Sequence, residues 1–135
     1  MRVISGKARG VTLMTPKGEH TRPTADRVKE ALFSIIQFDL PGASVLDLFG
    51  GTGQLGIEAL SRGAKRAVFV DAREDACQLI KENLKRAKLE SDQRANQLFY
   101  PKTCVSCSER LYLLCSRRRR FLVIQYFLYG LSFRL

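Results

Sequence analysis

No stretch of this 135-residue chain is apolar over the roughly 20 positions that a membrane-spanning helix needs, and the run from Phe121 to Gly130 is short and interrupted by Gln125. A membrane anchor is therefore not expected. At the amino end, Arg2 is followed by Val3-Ile4-Ser5-Gly6 rather than by a long apolar segment, so no secretory signal is read there. A cytoplasmic chain whose four cysteines stay reduced is the expectation. Histidine is nearly missing: His20 stands alone in a polar loop, without metal-ligand neighbours. Cys104, Cys107 and Cys115 with the distant Cys77 have the count for zinc but not the spacing, so no metal is expected. Acid is missing from the last third, where Glu109 is the only carboxylate side chain after Gln93.

Positive charge, by contrast, is abundant. The formal charge is +10 and the pI about 9.9, which favours a polyanionic partner, nucleic acid first. Up to Asp92 there are 15 Lys and Arg against 12 Asp and Glu, and beyond it 8 against 1, so the excess lies mostly in the tail. The length supports one domain and a modest core, short for a complete doubly wound sheet with an active site.

The opening residues read as two short β segments, Arg2–Ile4 and Val11–Leu13, around the basic turn Gly6-Lys7-Ala8-Arg9-Gly10, an N-terminal β-hairpin. Arg2, Lys7 and Arg9 are then candidates to grip RNA phosphates, as are Arg22 and Arg27 at the entry of the next helix. That helix would be capped by Thr24 and carry Asp26 in its first turn. Val28, Ala31, Leu32, Ile35 and Ile36 recur at the spacing of an apolar face, with Lys29 among the charges facing RNA or water.

After Pro41-Gly42, an apolar strand carrying one carboxylate runs into a glycine-rich turn: Val45-Leu46-Asp47-Leu48-Phe49-Gly50-Gly51-Thr52-Gly53-Gln54-Leu55-Gly56. Gly51 and Gly53 suit backbone angles or ligand approaches that a Cβ forbids, and Gly56 lets the following helix lie close to a strand. A second strand, Ala67–Asp71, also ends in a carboxylate, and a helix is expected from about Glu74 to Lys88 with Ala76, Ile80, Leu84 and Ala87 inward. Alternating β-α-β-α implies an α/β fold with a parallel sheet and right-handed crossovers. Ligands of such sheets sit at the carboxyl ends of the strands, where Asp47 and Asp71 fall. A pyrophosphate there would face two carboxylates, whereas S-adenosylmethionine brings an ammonium, a sulfonium and a ribose diol that an acid can hold. A nicotinamide or flavin dinucleotide and a purely structural glycine turn remain the other readings of the loop.

Four separated segments resemble the RsmD family of bacterial 16S ribosomal RNA guanine-N2 methyltransferases, in family order: Met1–Gly6, Thr21–Phe33, Asp47–Gly63 and Phe69–Asp71. The resemblance covers about residues 1–92. It implies a Rossmann-like, class I S-adenosylmethionine-dependent methyltransferase fold, incomplete at the carboxyl end, acting on 16S rRNA or the small ribosomal subunit. It also implies that Asp47, Gly50, Gly51 and Gly53 line the methionine side of the cofactor and that Asp71 holds its ribose. The family's chemistry uses an Asn or Asp followed by Pro-Pro and an aromatic residue. Here the only prolines are Pro16, Pro23, Pro41 and Pro101, so no catalytic residue is assigned. Composition changes abruptly near residue 92, with eight of the twelve aromatics beyond Gln93, and this is what a shift of reading frame would produce. The chain thus divides into residues 1–92, which hold the hairpin, helix and cofactor region, and an atypical basic, aromatic tail at 93–135. The rival reading is a noncatalytic RNA-binding fragment with a partial cofactor fold.

Overall fold

A computed structural model describes residues 1–16, 26–71 and 73–90 in full, together with the backbone of two further strands at 96–99 and 121–125. The elements are α1 (Asp26–Ile35), β1 (Ser44–Leu48), α2 (Gln54–Ser61), β2 (Arg66–Val70), α3 (Glu74–Arg86), β3 (Asn96–Phe99) and β4 (Phe121–Gln125). The strands form one parallel sheet in the order β3-β2-β1-β4, with Asp47 beside Phe69 on β2 and Ile124 on β4. This is the α/β, Rossmann-like arrangement expected, with β1 and β2 as its inner strands. No strand was expected at 96–99, where the alternation of apolar residues is faint. The Thr24 cap and His20 lie outside the described residues.

Strand alternation puts Val45, Asp47, Ala67 and Phe69 on one buried face, while Leu46, Leu48, Val68 and Val70 on the other are half-buried. The buried face receives α2. Gly56 makes this approach possible, since a Cβ there would lie 2.2 Å from Cε1 and 2.7 Å from Cζ of the fully buried Phe69. Gly56→Ala is therefore expected to cost about 1–3 kcal/mol through overpacking. Adding Phe69→Leu should return part of that loss in chemical denaturation, and a single variant as stable as the parent would contradict the packing.

All eight residues of α2 are buried, because the sheet covers one side and the amino-terminal segment covers the other. That segment pairs antiparallel through the Arg2–Thr12 bridge and the bonds Val3 N–H to Val11 O (3.0 Å) and Leu13 N–H to Met1 O (3.0 Å), a hairpin reduced to its minimum. It lies along α2 from end to end. Met1 Sδ accepts the hydroxyl of Thr52 just before the helix, and Lys7 N–H donates to Ser61 O (2.8 Å) at its last residue. Gly6 fits against that end only because it lacks a side chain, as a Cβ there would stand 1.9 Å from Ser61 O.

The apolar face expected for α1 is corrected by the structure. Val28, Ala31 and Ile35 are exposed, and the buried line is Lys29, Phe33 and Ile36, with Leu32 partly covered. The stripe is displaced by one residue, about 100° around the helix. Lys29 accounts for the displacement: its aliphatic stem packs inward and its ammonium finds polar partners there, so it faces neither RNA nor water. On α3 the expected face holds, with Ala76, Ile80, Leu84 and the adjoining Ala87 buried and Lys81, Glu82, Lys85 and Arg86 exposed.

Candidate functional site

The carboxyl end of β1 passes through Phe49, a half-exposed residue with φ 64°, into the turn Gly50–Gly53 and then α2. A left-handed, non-glycine residue is uncommon and strained, and it marks the loop as held by its surroundings. Those surroundings are specific. Gly50 N–H donates to Val70 O (2.9 Å), Gly53 N–H to Gly50 O (2.7 Å) and Gly51 N–H to Asp71 Oδ2 (2.8 Å). Asp71 Oδ1 accepts from Arg73 N–H (2.9 Å), so this carboxylate joins the end of β2 to the glycine loop while keeping lone pairs for a ligand. Asn83, fully buried on α3, donates to Thr52 O (2.9 Å) and Met14 O (3.1 Å) and accepts from Met14 N–H (2.7 Å).

The glycines divide in role. A Cβ on Gly50 or Gly53 would come within 3.1 Å of the Ile80 side chain, so both are needed for packing against α3. Gly51, with φ 55°, would meet nothing nearer than Phe49 O at 3.9 Å, so the open side of the turn is at Gly51.

Asp47 lies beneath this turn, 3% exposed, and its Oδ2 accepts the N–H of Gly56 (3.0 Å) in the first turn of α2. Burial raises its pKa to about 7; the Gly56 hydrogen bond opposes this, and the charge of Asp71 adds to it. Two acids therefore meet at one loop, and the buried one holds its charge only weakly. A cationic ligand would relieve that arrangement, and a phosphate would aggravate it. The Oε1 atom of Gln54, at the start of α2, is buried without a hydrogen-bond partner.

The structure thus brings together Asp47, Gly50, Gly51, Gly53 and Asp71. It separates the basic candidates. Arg2 is beside the entry of α1, its Nε 3.3 Å from Asp26 Oδ2. Lys7 and Arg9 are exposed at the opposite end of α2, Arg27 is exposed on α1, and Arg22 lies outside the described residues. Sequence reading missed the parts played by Phe49, Asn83 and Glu58, and it turned Lys29 toward RNA or water where the structure buries it. Glu58 and Asn83 did leave a signal, as polar residues inside otherwise apolar helix faces. Among the described residues there is no group of three His, Cys, Asp or Glu side chains able to hold a metal, and no helix long and apolar enough to cross a membrane.

A family model described as Conserved hypothetical protein 95 matches residues 1–106. The chain is 51% identical over 89 residues to YlbH of Bacillus subtilis strain 168, covering 66% of this chain and 48% of that protein. It is 41% identical over 93 residues to Ribosomal RNA small subunit methyltransferase D of Haemophilus influenzae, covering 69% and 48%. Among solved structures, a hypothetical protein of Thermus thermophilus superimposes with a TM-score of 0.63 at 36% identity, over 74% of this chain and 54% of that one. The chain spans about half the length of the curated relatives it matches.

Proposed function

The chain belongs to the family described as Conserved hypothetical protein 95, and from that membership and the geometry of its loop we propose that it is the cofactor-binding part of an S-adenosylmethionine-dependent methyltransferase acting on ribosomal RNA. The observation that carries the reading is the pairing of two carboxylates around one glycine turn, with Gly51 N–H on Asp71 and Gly56 N–H on Asp47. Asp71 would take the ribose hydroxyls, and Gly51 would give the methionine portion its open approach. Gly50 and Gly53 hold the turn against α3, and Asp47 supplies negative charge from below. When bound, the cofactor supplies an electrophilic methyl group on a cationic sulfur.

The proposed substrate is supported by relatives that are small-subunit rRNA methyltransferases. A guanine N2 amine in 16S rRNA is the acceptor proposed, reached in the cytoplasm, with Arg2, Lys7, Arg9, Arg22 and Arg27 on phosphates. This chain's part is to bind and orient the cofactor and to hold the RNA. Its sequence offers no Pro-Pro pair to position the amine. That same observation favours the second reading, a noncatalytic RNA-binding chain that retains a cofactor fold.

Isothermal titration calorimetry tests the proposal. Adenosylmethionine and adenosylhomocysteine should both bind, and Asp71→Asn should weaken both by roughly tenfold or more, the loss of about one charge-assisted hydrogen bond. Tighter binding of NADH than of adenosylmethionine would sink the reading. Methyl transfer to 16S rRNA then separates the enzyme from the noncatalytic chain.

A further inference from the structure

The hairpin spans the length of α2, and its two ends carry different charges to different places. Its open end, with Met1 and Arg2, lies at the glycine loop, where Met1 touches Thr52 and Asn83 binds Met14. Its turn lies at the far end. There Lys7 N–H donates to Ser61 O and Ala8 N–H to Ser61 Oγ (2.9 Å), while the Ser61 hydroxyl donates to Ser5 O. The eight residues of α2 separate these ends by about 12 Å.

The far end gathers further positive charge. The turn after α2 carries Lys65 and β2 opens on Arg66, both exposed. It is fixed beside the entry to β1 by Gly42 N–H to Gly63 O (2.9 Å) and Lys65 N–H to Ala43 O (2.8 Å). Arg66 also donates to Ser44 Oγ (2.7 Å), and Arg62 is committed to Glu58 and to the face of Phe33. The acids of this region among the described residues are Glu58, which is fully buried, and Asp39, which is exposed in the loop before β1. Among the described residues, exposed cations therefore outnumber exposed acids on this surface.

We propose that Lys7, Arg9 and Lys65, with Arg66 beside them, form a second RNA-contact surface at the end of the sheet opposite the glycine loop, binding phosphates remote from the nucleotide to be modified. This rests on the RNA substrate proposed above. The surface takes RNA that extends past the target by about four nucleotides or more, and a free nucleotide does not reach both ends of α2. The N–H groups of Lys7 and Ala8 tie the turn to Ser61 O and Oγ, so its phosphate contacts need little ordering on binding.

The test is fluorescence anisotropy of the full chain on a small-subunit rRNA hairpin across a range of salt, with adenosylmethionine affinity measured separately by calorimetry. The variant Lys7→Glu/Arg9→Glu/Lys65→Glu should bind this RNA at least about tenfold more weakly and show a salt dependence shallower by about 2 to 3. Its cofactor affinity and melting temperature should match the parent. The charge-matched control Lys81→Glu/Lys85→Glu/Arg86→Glu, on the exposed face of α3, should lose less. Equal losses in the two variants would mean that only net charge matters, and unchanged binding in the first would remove the surface; either overturns the proposal. Preference of the parent for anionic lipid vesicles over RNA would overturn it as well. Failure of adenosylmethionine to bind the parent would count against the methyltransferase reading and leave the RNA result standing.

Discussion

Replacing Glu58 with Ala is expected to lower folding stability by about 3–5 kcal/mol, the loss typical of removing one partner of a buried ion pair. Glu58 and Lys29 both have fully buried side chains. The Lys29 ammonium stands 3.9 Å from Glu58 and 3.7 Å from Asp26, and it donates to Arg2 O. Burial pulls its pKa below the ordinary value, with Glu58 and then Asp26 pulling it back up. Glu58 also accepts from Ile4 N–H (2.8 Å), Ser5 N–H (3.0 Å) and Arg62 Nε (2.8 Å). Alanine would strip the buried cation of its buried counter-charge, leaving only the half-exposed Asp26 and Arg2 O, and would leave two hairpin amides without an acceptor, so the loss falls on the contact between hairpin and α2. Glu58→Gln keeps an acceptor and should cost less. Lys29→Met combined with Glu58→Gln removes both charges and should recover most of the stability. Urea denaturation of the three variants decides the matter: a loss under about 1 kcal/mol for Glu58→Ala would show that the pair does not hold the hairpin.

How far such a network can be read from sequence depends on what hides a charge. Periodicity located α3 because its inward positions are apolar, and it located the Gly56 approach because a strand-turn-helix has few solutions. It failed on α1, since Lys29 counts as polar in any pattern although its stem belongs to the core. Glu58 was legible in principle, as an acid in the apolar run of α2 with Arg62 four residues on. What could not be read was its acceptance of amides from residues 54 and 53 positions away in the chain. The candidate site shows the same division. Asp47 and Asp71 were legible from their places at strand ends. The sorting of Gly50 and Gly53 toward Ile80, and of Gly51 toward open space, required the position of α3. The separation of Arg2 from Lys7 and Arg9 likewise needed the course of the hairpin along α2, because all three lie within eight consecutive residues.

Asp47→Asn is expected to stabilise the ligand-free protein at neutral pH while weakening its hold on the cofactor. In the folded protein the Asp47 pKa is raised from 3.8 to about 7, chiefly by burial. Below about pH 4 both folded and unfolded chains hold the proton, between about pH 4 and 7 only the folded chain does, and above that neither does. The folded state therefore binds the extra proton across this window, and stability falls as pH rises through it, by about 1.4 kcal/mol per unit. Summed over the window, the ionised carboxylate costs on the order of 4 kcal/mol by neutral pH. Asparagine keeps an acceptor for Gly56 N–H without that charge, so the variant should lack the parent's decline between about pH 4 and 7. The penalty has a use under the proposed function: a cationic ligand favours the ionised form, so parent affinity should climb up to about pH 7 and binding at pH 6 should release protons. Calorimetry at pH 6 in two buffers of different ionisation enthalpy measures that release directly. In the Asp47→Asn variant the release should shrink and adenosylmethionine should bind at least about tenfold more weakly, while denaturation at pH 7.5 shows a gain in stability. Parallel stability profiles for parent and variant would show that Asp47 is ordinary in its titration. Equal affinities would show that its charge does not serve the ligand.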